Sequence, residues 1–149
     1  MLREFQVTMN KPANAQYKAG QAGIKTGMAV VLDETNKEFK FADAATSKNI
    51  YFVDKERIAK GVNAAYKDLS DYHEDFVNVE DGELAKVIAY YPGEVIGTDQ
   101  ADTTTLTVGD HLEANEKGQM VKATGETKYI YVGEYNDNGH KLAQIKIGE

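Results

Sequence analysis

Cysteine is absent from the 149 residues, which excludes disulfides, zinc ribbons and thiol catalysis, and with them the commonest signature of a small secreted module. That absence fits a chain that folds inside a cell. Long apolar runs are lacking too. Nothing approaches the roughly 20 apolar residues of a membrane helix, and the opening Met1-Leu2-Arg3-Glu4-Phe5-Gln6 lacks the apolar run of a signal peptide. The expectation is a soluble, unprocessed chain with no membrane partner. Basic charge is outnumbered, 17 Lys and Arg against 24 Asp and Glu, for a net charge of -7. Such a chain repels phosphate backbones, so nucleic acid is not an expected partner.

The usual catalytic patterns are also missing. Ser47 and Ser70 are the only serines, and neither sits in a Gly-x-Ser-x-Gly turn. Neither glycine-rich phosphate motif occurs. His73, His111 and His140 stand apart, without the spacing that would set two imidazoles on one helical face. His73-Glu74-Asp75 is the nearest approach to a metal site, but three consecutive side chains cannot all converge on one ion in regular structure. Asn136-Asp137-Asn138-Gly139 looks superficially like a calcium loop, yet the place of its bidentate Glu falls on Ile145, so a hairpin turn is the expectation. No cofactor and no catalytic residue is assigned. Carboxylate pairs can meet from any separation in sequence, which leaves a small glycan hydrolase as an open alternative.

What is present is a repeat. Gly27-Met28-Ala29-Val30-Val31-Leu32, a polar turn over 33–37, Phe39-Lys40-Phe41-Ala42 and Lys48-Asn49-Ile50-Tyr51-Phe52-Val53 form the first copy. The second runs Gly109-Asp110-His111-Leu112-Glu113-Ala114, a turn over 115–118, Met120-Val121-Lys122-Ala123 and Lys128-Tyr129-Ile130-Tyr131-Val132-Gly133. From the opening glycine to the Lys before the Ile-Tyr pair the copies differ by two residues, which one turn absorbs. Gly82 to Ile88 then matches Gly139 to Ile147. Each copy reads as four short strands of an antiparallel sandwich or barrel. Side chains alternate along a strand, so Ile50, Phe52, Ile130 and Val132 are expected on one side, with Tyr51 and Tyr131 on the other. Asn138-Gly139 is the strongest turn signal, because a type I′ hairpin needs φ > 0 at both central residues.

The boundaries that follow are an N-terminal arm over 1–26, a first β unit over 27–91, a linker over 92–105 and a second β unit over 106–149. The first unit carries an insertion over 54–81. Within it Ile58, Val62, Ala65, Tyr66 and Leu69 fall on one helical stripe, with Asp54 as a possible N-cap, which predicts one inserted α-helix. Asp68, Asp71, Glu74, Asp75, Glu80, Asp81 and Glu83 then make an acidic run, either a solvated surface or a patch for a basic partner. The arm is locally basic, with Arg3, Lys11, Lys18 and Lys25 against Glu4. Phe5, Val7 and Met9 alternate along it, as a strand laid on another protein's sheet edge would, or as the first strand of the chain's own sheet.

Leu106-Thr107-Val108-Gly109-Asp110-His111-Leu112-Glu113-Ala114, the turn ending at Gly118, and Met120-Val121-Lys122-Ala123 resemble a segment of tailed-bacteriophage capsid decoration (cement) proteins. There a Val-Gly-Asp-x-Leu strand is followed by a turn with Gly and an apolar strand. A later strand of Val-Gly character, here Tyr131-Val132-Gly133, precedes a closing hairpin, here Lys141 to Ile147. The resemblance implies a small β domain made in the bacterial cytoplasm that adds to the outside of an assembled head. There it would bind the major capsid protein and catalyse nothing; a trimer would suit a three-fold capsid position, and a monomer is equally consistent with the length. By that analogy the arm docks, which nominates Arg3, Phe5, Val7, Met9, Lys11 and Tyr17 as partner-binding residues. The duplication and the helical insertion depart from the smallest members of the family. A head-fibre or tail subunit shares the same features. A carbohydrate-binding module is the other alternative, and it requires Tyr90, Tyr91, Tyr129, Tyr131 or Tyr135 to lie exposed and coplanar.

Overall fold

The computed structural model describes residues 1–8, 12–43, 49–56 and 70–149. In chain order these form β1 (Leu2–Gln6), β2 (Ala13–Asn14), β3 (Lys18–Ala19), β4 (Ile24–Lys25), β5 (Ala29–Asp33), β6 (Glu38–Phe41) and β7 (Tyr51–Asp54). Then come α1 (Glu74–Val77), β8 (Asn78–Val79), β9 (Lys86–Ile88), β10 (Val95–Thr98), β11 (His111–Ala114), β12 (Met120–Lys122), β13 (Tyr129–Asp137) and β14 (His140–Ile147). The chain is mainly β, as its alternating and β-branched runs require. The predicted helical stripe from Ile58 to Leu69 lies outside the described residues. Asp54 ends β7, where its carboxylate meets Lys86 at 3.0 Å. The four-residue α1 closes the insertion, capped by His73, whose Nδ1 accepts the Asp75 N–H at 3.2 Å.

Two six-stranded sheets form, in the orders β2-β9-β7-β5-β6-β3 and β1-β10-β14-β13-β11-β12, and β4 pairs with β8 as a separate ribbon. Neither sheet closes into a barrel. The repeat read from the sequence is realised in this topology, since β9-β7-β5-β6 and β14-β13-β11-β12 are the same four strands in the same order. It extends further than the sequence shows. Ala13 faces Ile88 on β9 as Val95 faces Lys146 on β14. Ala19 steps parallel onto Phe39 as Ala101 does onto Met120. The segment read as a linker thus supplies β10, the counterpart of β2.

The opening glycine of each copy has a physical reason. Gly27 and Gly109 hold φ of 90° and 99°, outside the range that L side chains readily adopt. The turns after β5 and β11 also match, with Lys37 at φ 54° where the second copy has Gly118 at 69°. Asn138 (φ 52°) and Gly139 (φ 93°) make the predicted two-residue hairpin turn between β13 and β14.

One expectation about faces changes. Register equates Val30 with Leu112, Tyr51 with Tyr129 and Phe52 with Ile130, two residues away from the alignment by the Ile-Tyr pairs. Phe52 and Ile130 do lie on matching sides of their sheets. Yet Phe52 is buried while Ile130 and Val132 are only half-buried, and the core of the second unit takes Tyr129 and Tyr131 instead. The cause is the way the units stack. Ala29, Phe52 and Ile88, on the back of the first sheet, share a core with Ile96, Leu112, Met120, Tyr131 and Ile145, on the front of the second. The front of the first sheet, with Val30, Phe39, Val53 and Val87, is covered by Tyr17, Ile24, Val79 and Ala85. The first sheet is therefore buried on both faces, which is why Ala29-Val30, Phe52-Val53 and Val87-Ile88 read as unbroken apolar pairs. The back of the second sheet faces outward.

Candidate functional site

That outward face is where the predicted partner-binding residues are best tested. β1 is extended, as expected of the arm, and of its two readings the strand of the chain's own sheet is the one formed, with Leu2 opposite Thr98 and Glu4 opposite Ile96. Alternation sends Leu2 into the shared core, while Glu4, on the same side of the strand but exposed, accepts a hydrogen bond from the Tyr90 hydroxyl at 2.9 Å. Arg3 and Phe5 go the other way.

Phe5 lies across Gly97, whose missing side chain makes the contact possible: a Cβ there would stand 2.5 Å from the Phe5 ring. Tyr135 meets Phe5 edge to face, with ring centroids 4.8 Å apart. Leu142, fully buried, pairs across the ladder with Tyr135. Phe5 and Tyr135 remain 38% and 43% exposed, so they form a fixed aromatic pair with one side to solvent.

A polar cluster borders this pair. Arg3 donates to Asp137 from Nε (3.2 Å) and Nη2 (2.9 Å), and Nη2 also reaches Asp71 at 3.1 Å. The Tyr72 hydroxyl donates to Asp137 at 2.7 Å, and the Tyr72 ring stacks on His140 at 3.6 Å. The Tyr72 hydrogen bond and then the Arg3 guanidinium hold the Asp137 carboxyl below the usual carboxylate range. Burial, then Asp137, pushes the Tyr72 phenol up. These contacts tie the end of the insertion to β1 and to the β13–β14 hairpin.

The other nominated residues fare differently. Val7 packs half-buried against the shared core. Just beyond it, buried Glu94 accepts both the Thr8 N–H at 2.6 Å and the Thr8 hydroxyl at 2.7 Å. Tyr17 is 3% exposed and donates its hydroxyl to Glu34, so this side chain serves the second core. Met9 and Lys11 lie outside the described residues. Tyr135, the partner of Phe5, entered the sequence reading only as a possible sugar-stacking ring. Its meeting with Phe5 spans strands far apart in the chain, and no local pattern announces it.

Of the five tyrosines named for a sugar-binding row, Tyr91 and Tyr135 are exposed and the other three are not. Tyr90, Tyr129 and Tyr131 are core side chains, and burial pushes the Tyr129 phenol up to about 12. The histidines have structural places: His73 caps α1, His140 stacks on Tyr72, and His111 sits with Nδ1 2.6 Å from the Thr127 carbonyl oxygen. Among the described residues no three His, Cys, Asp or Glu side chains gather as a metal site would require. The acidic run is partly consumed internally, Asp71 by Arg3 and Glu83 by Lys55 at 3.0 Å. No helix of the described residues is long and apolar enough to cross a membrane. No family model, no curated protein and no solved structure matches the chain.

Proposed function

We propose that the chain is a structural protein of a tailed-bacteriophage particle that decorates the assembled head by binding its major capsid protein. The resemblance of the Leu106–Ala123 segment supplies the family. The observation that carries the binding mode is the Phe5–Tyr135 pair, two aromatic rings half-exposed on an open sheet face. Protein interfaces concentrate their energy in such residues, because a rigid ring buries much area at little entropic cost. Arg3, bordering the pair, is already neutralised by Asp137 and Asp71 and orders the rim. The basic arm of the sequence reading thus contributes through Phe5, on a sheet the chain completes itself.

Co-sedimentation with empty phage heads tests the proposal. Deleting residues 1–21 would remove β1 together with Tyr17 and Ala19 of the second core, so point substitutions are the sharper tool. The full chain should pellet with heads, and Phe5→Ser with Tyr135→Ser should release it by at least tenfold. A full chain that stays in the supernatant with every head tried would end this reading.

A further inference from the structure

The turn between β13 and β14 sets a nucleophile beside an electrophile. Asn138 is followed by Gly139, and no other asparagine of the chain is followed by glycine. Glycine has no Cβ to crowd its own nitrogen, so the Gly139 amide is the least hindered nucleophile that a preceding carboxamide can meet. Attack of that nitrogen on Asn138 Cγ closes a five-membered succinimide ring and breaks the bond from Cγ to the side-chain nitrogen. The amide proton leaves with that nitrogen as ammonia. Water then opens the ring at either carbonyl, which gives aspartate or isoaspartate. The sum is one water consumed and one ammonia released, with nothing oxidised or reduced.

The two reacting groups are held very differently. Asn138 and Gly139 are both exposed, and a Cβ on Gly139 would meet nothing within 4 Å, so the turn has room for the ring. The Asn138 carboxamide has no hydrogen-bond partner among the described residues. The nucleophile, in contrast, is engaged, because the Gly139 N–H donates to Asn136 Oδ1 at 2.7 Å. An amide in such a side-chain bond gives up its proton less readily and turns towards Cγ only by breaking the bond. The backbone adds a second restraint, since the closing pair Asp137 and His140 fixes φ at 52° for Asn138 and 93° for Gly139.

We infer that Asn138 is a site of spontaneous covalent modification, passing through a succinimide to aspartate and isoaspartate, and that Asn136 sets its rate by holding the Gly139 amide. An isoaspartate carries one extra carbon in the main chain, which a two-residue turn closed by Asp137 and His140 does not accommodate. The pairing nearest the turn then opens, and it includes Tyr135 opposite Leu142. Conversion therefore reaches the outward aromatic pair through the hairpin that carries it. The inference concerns the chemistry of the turn and stands apart from the capsid reading.

Incubating the folded full chain at neutral and at mildly alkaline pH, followed by peptide mapping with mass spectrometry and an isoaspartate assay, tests it. Asn138 should be the first asparagine to convert, and faster at the higher pH, because the attacking amide must lose its proton. Asn136→Ala should speed conversion about 2- to 10-fold, the worth of one hydrogen bond. Asn136→Asp, which keeps an acceptor at the same place, should leave the rate close to that of the parent chain. The inference is overturned if Asn138 of the parent chain stays intact at alkaline pH or if another asparagine converts first. It is overturned as well if the Ala and Asp variants accelerate alike, which would trace the effect to a loosened hairpin and not to the held amide.

Discussion

Phe52 and Ile130 hold matching places in two copies of one sheet, and only Phe52 is fully buried. Phe52 fills the seam between the units, where its ring lies 6.0 Å from Tyr90 and 6.1 Å from Tyr129. Phe52→Ala should therefore cost about 3–5 kcal/mol of unfolding free energy, and Ile130→Ala about 1 kcal/mol. Equilibrium denaturation of both variants decides the matter. Equal losses would mean that the front-to-back stacking is misread.

A second prediction separates backbone strain from close approach. Gly27 and Gly109 share nearly the same positive φ, but a Cβ on Gly27 would stand 2.4 Å from the Met1 carbonyl oxygen and 2.5 Å from Thr98 Oγ1, while one on Gly109 meets nothing within 4 Å. Gly109→Ala should cost about 1–2 kcal/mol from conformation alone. Gly27→Ala should cost more than about 3 kcal/mol, with the excess coming from the displaced N-terminal strand. Thermal melts of the pair would show a clear gap between them.

The Asp137 cluster predicts a pH dependence with a definite sign. Its carboxyl is held below the unfolded value by Tyr72 and Arg3, so the stabilisation is complete above the ordinary carboxylate range and fades as pH falls through the lowered folded-state pKa. Asp137→Asn should melt below the unmodified chain at pH 7, and the two melting curves should converge towards pH 2. A gap that widened on acidification would contradict the assignment.

The four-strand repeat was legible because each strand carries a β-branched or aromatic run and each copy opens on a glycine that its turn demands. The five-strand unit was not. Its extra strand is Ala13-Asn14 in one copy and Val95-Ile96-Gly97-Thr98 in the other, too short and too unlike to show a shared pattern. Nor could the sequence say which face of β13 is buried, because alternation fixes only that Tyr129 and Tyr131 oppose Ile130. Burial there depends on the first unit stacking against the tyrosine side, a contact between residues far apart in the chain. The same limit applies to the candidate docking face. Phe5 was nominated from its alternation with Val7, whereas Tyr135 joins it only through the order β1-β10-β14-β13.

A cement must stabilise what it binds, so the most direct measurement is the temperature at which phage heads lacking their decoration protein rupture, with and without this chain added. The account predicts a rise of several degrees that saturates with bound protein and disappears when Phe5→Ser and Tyr135→Ser are combined in a chain that still folds. An unchanged rupture temperature with the chain bound, or full stabilisation by the doubly substituted chain, would contradict it.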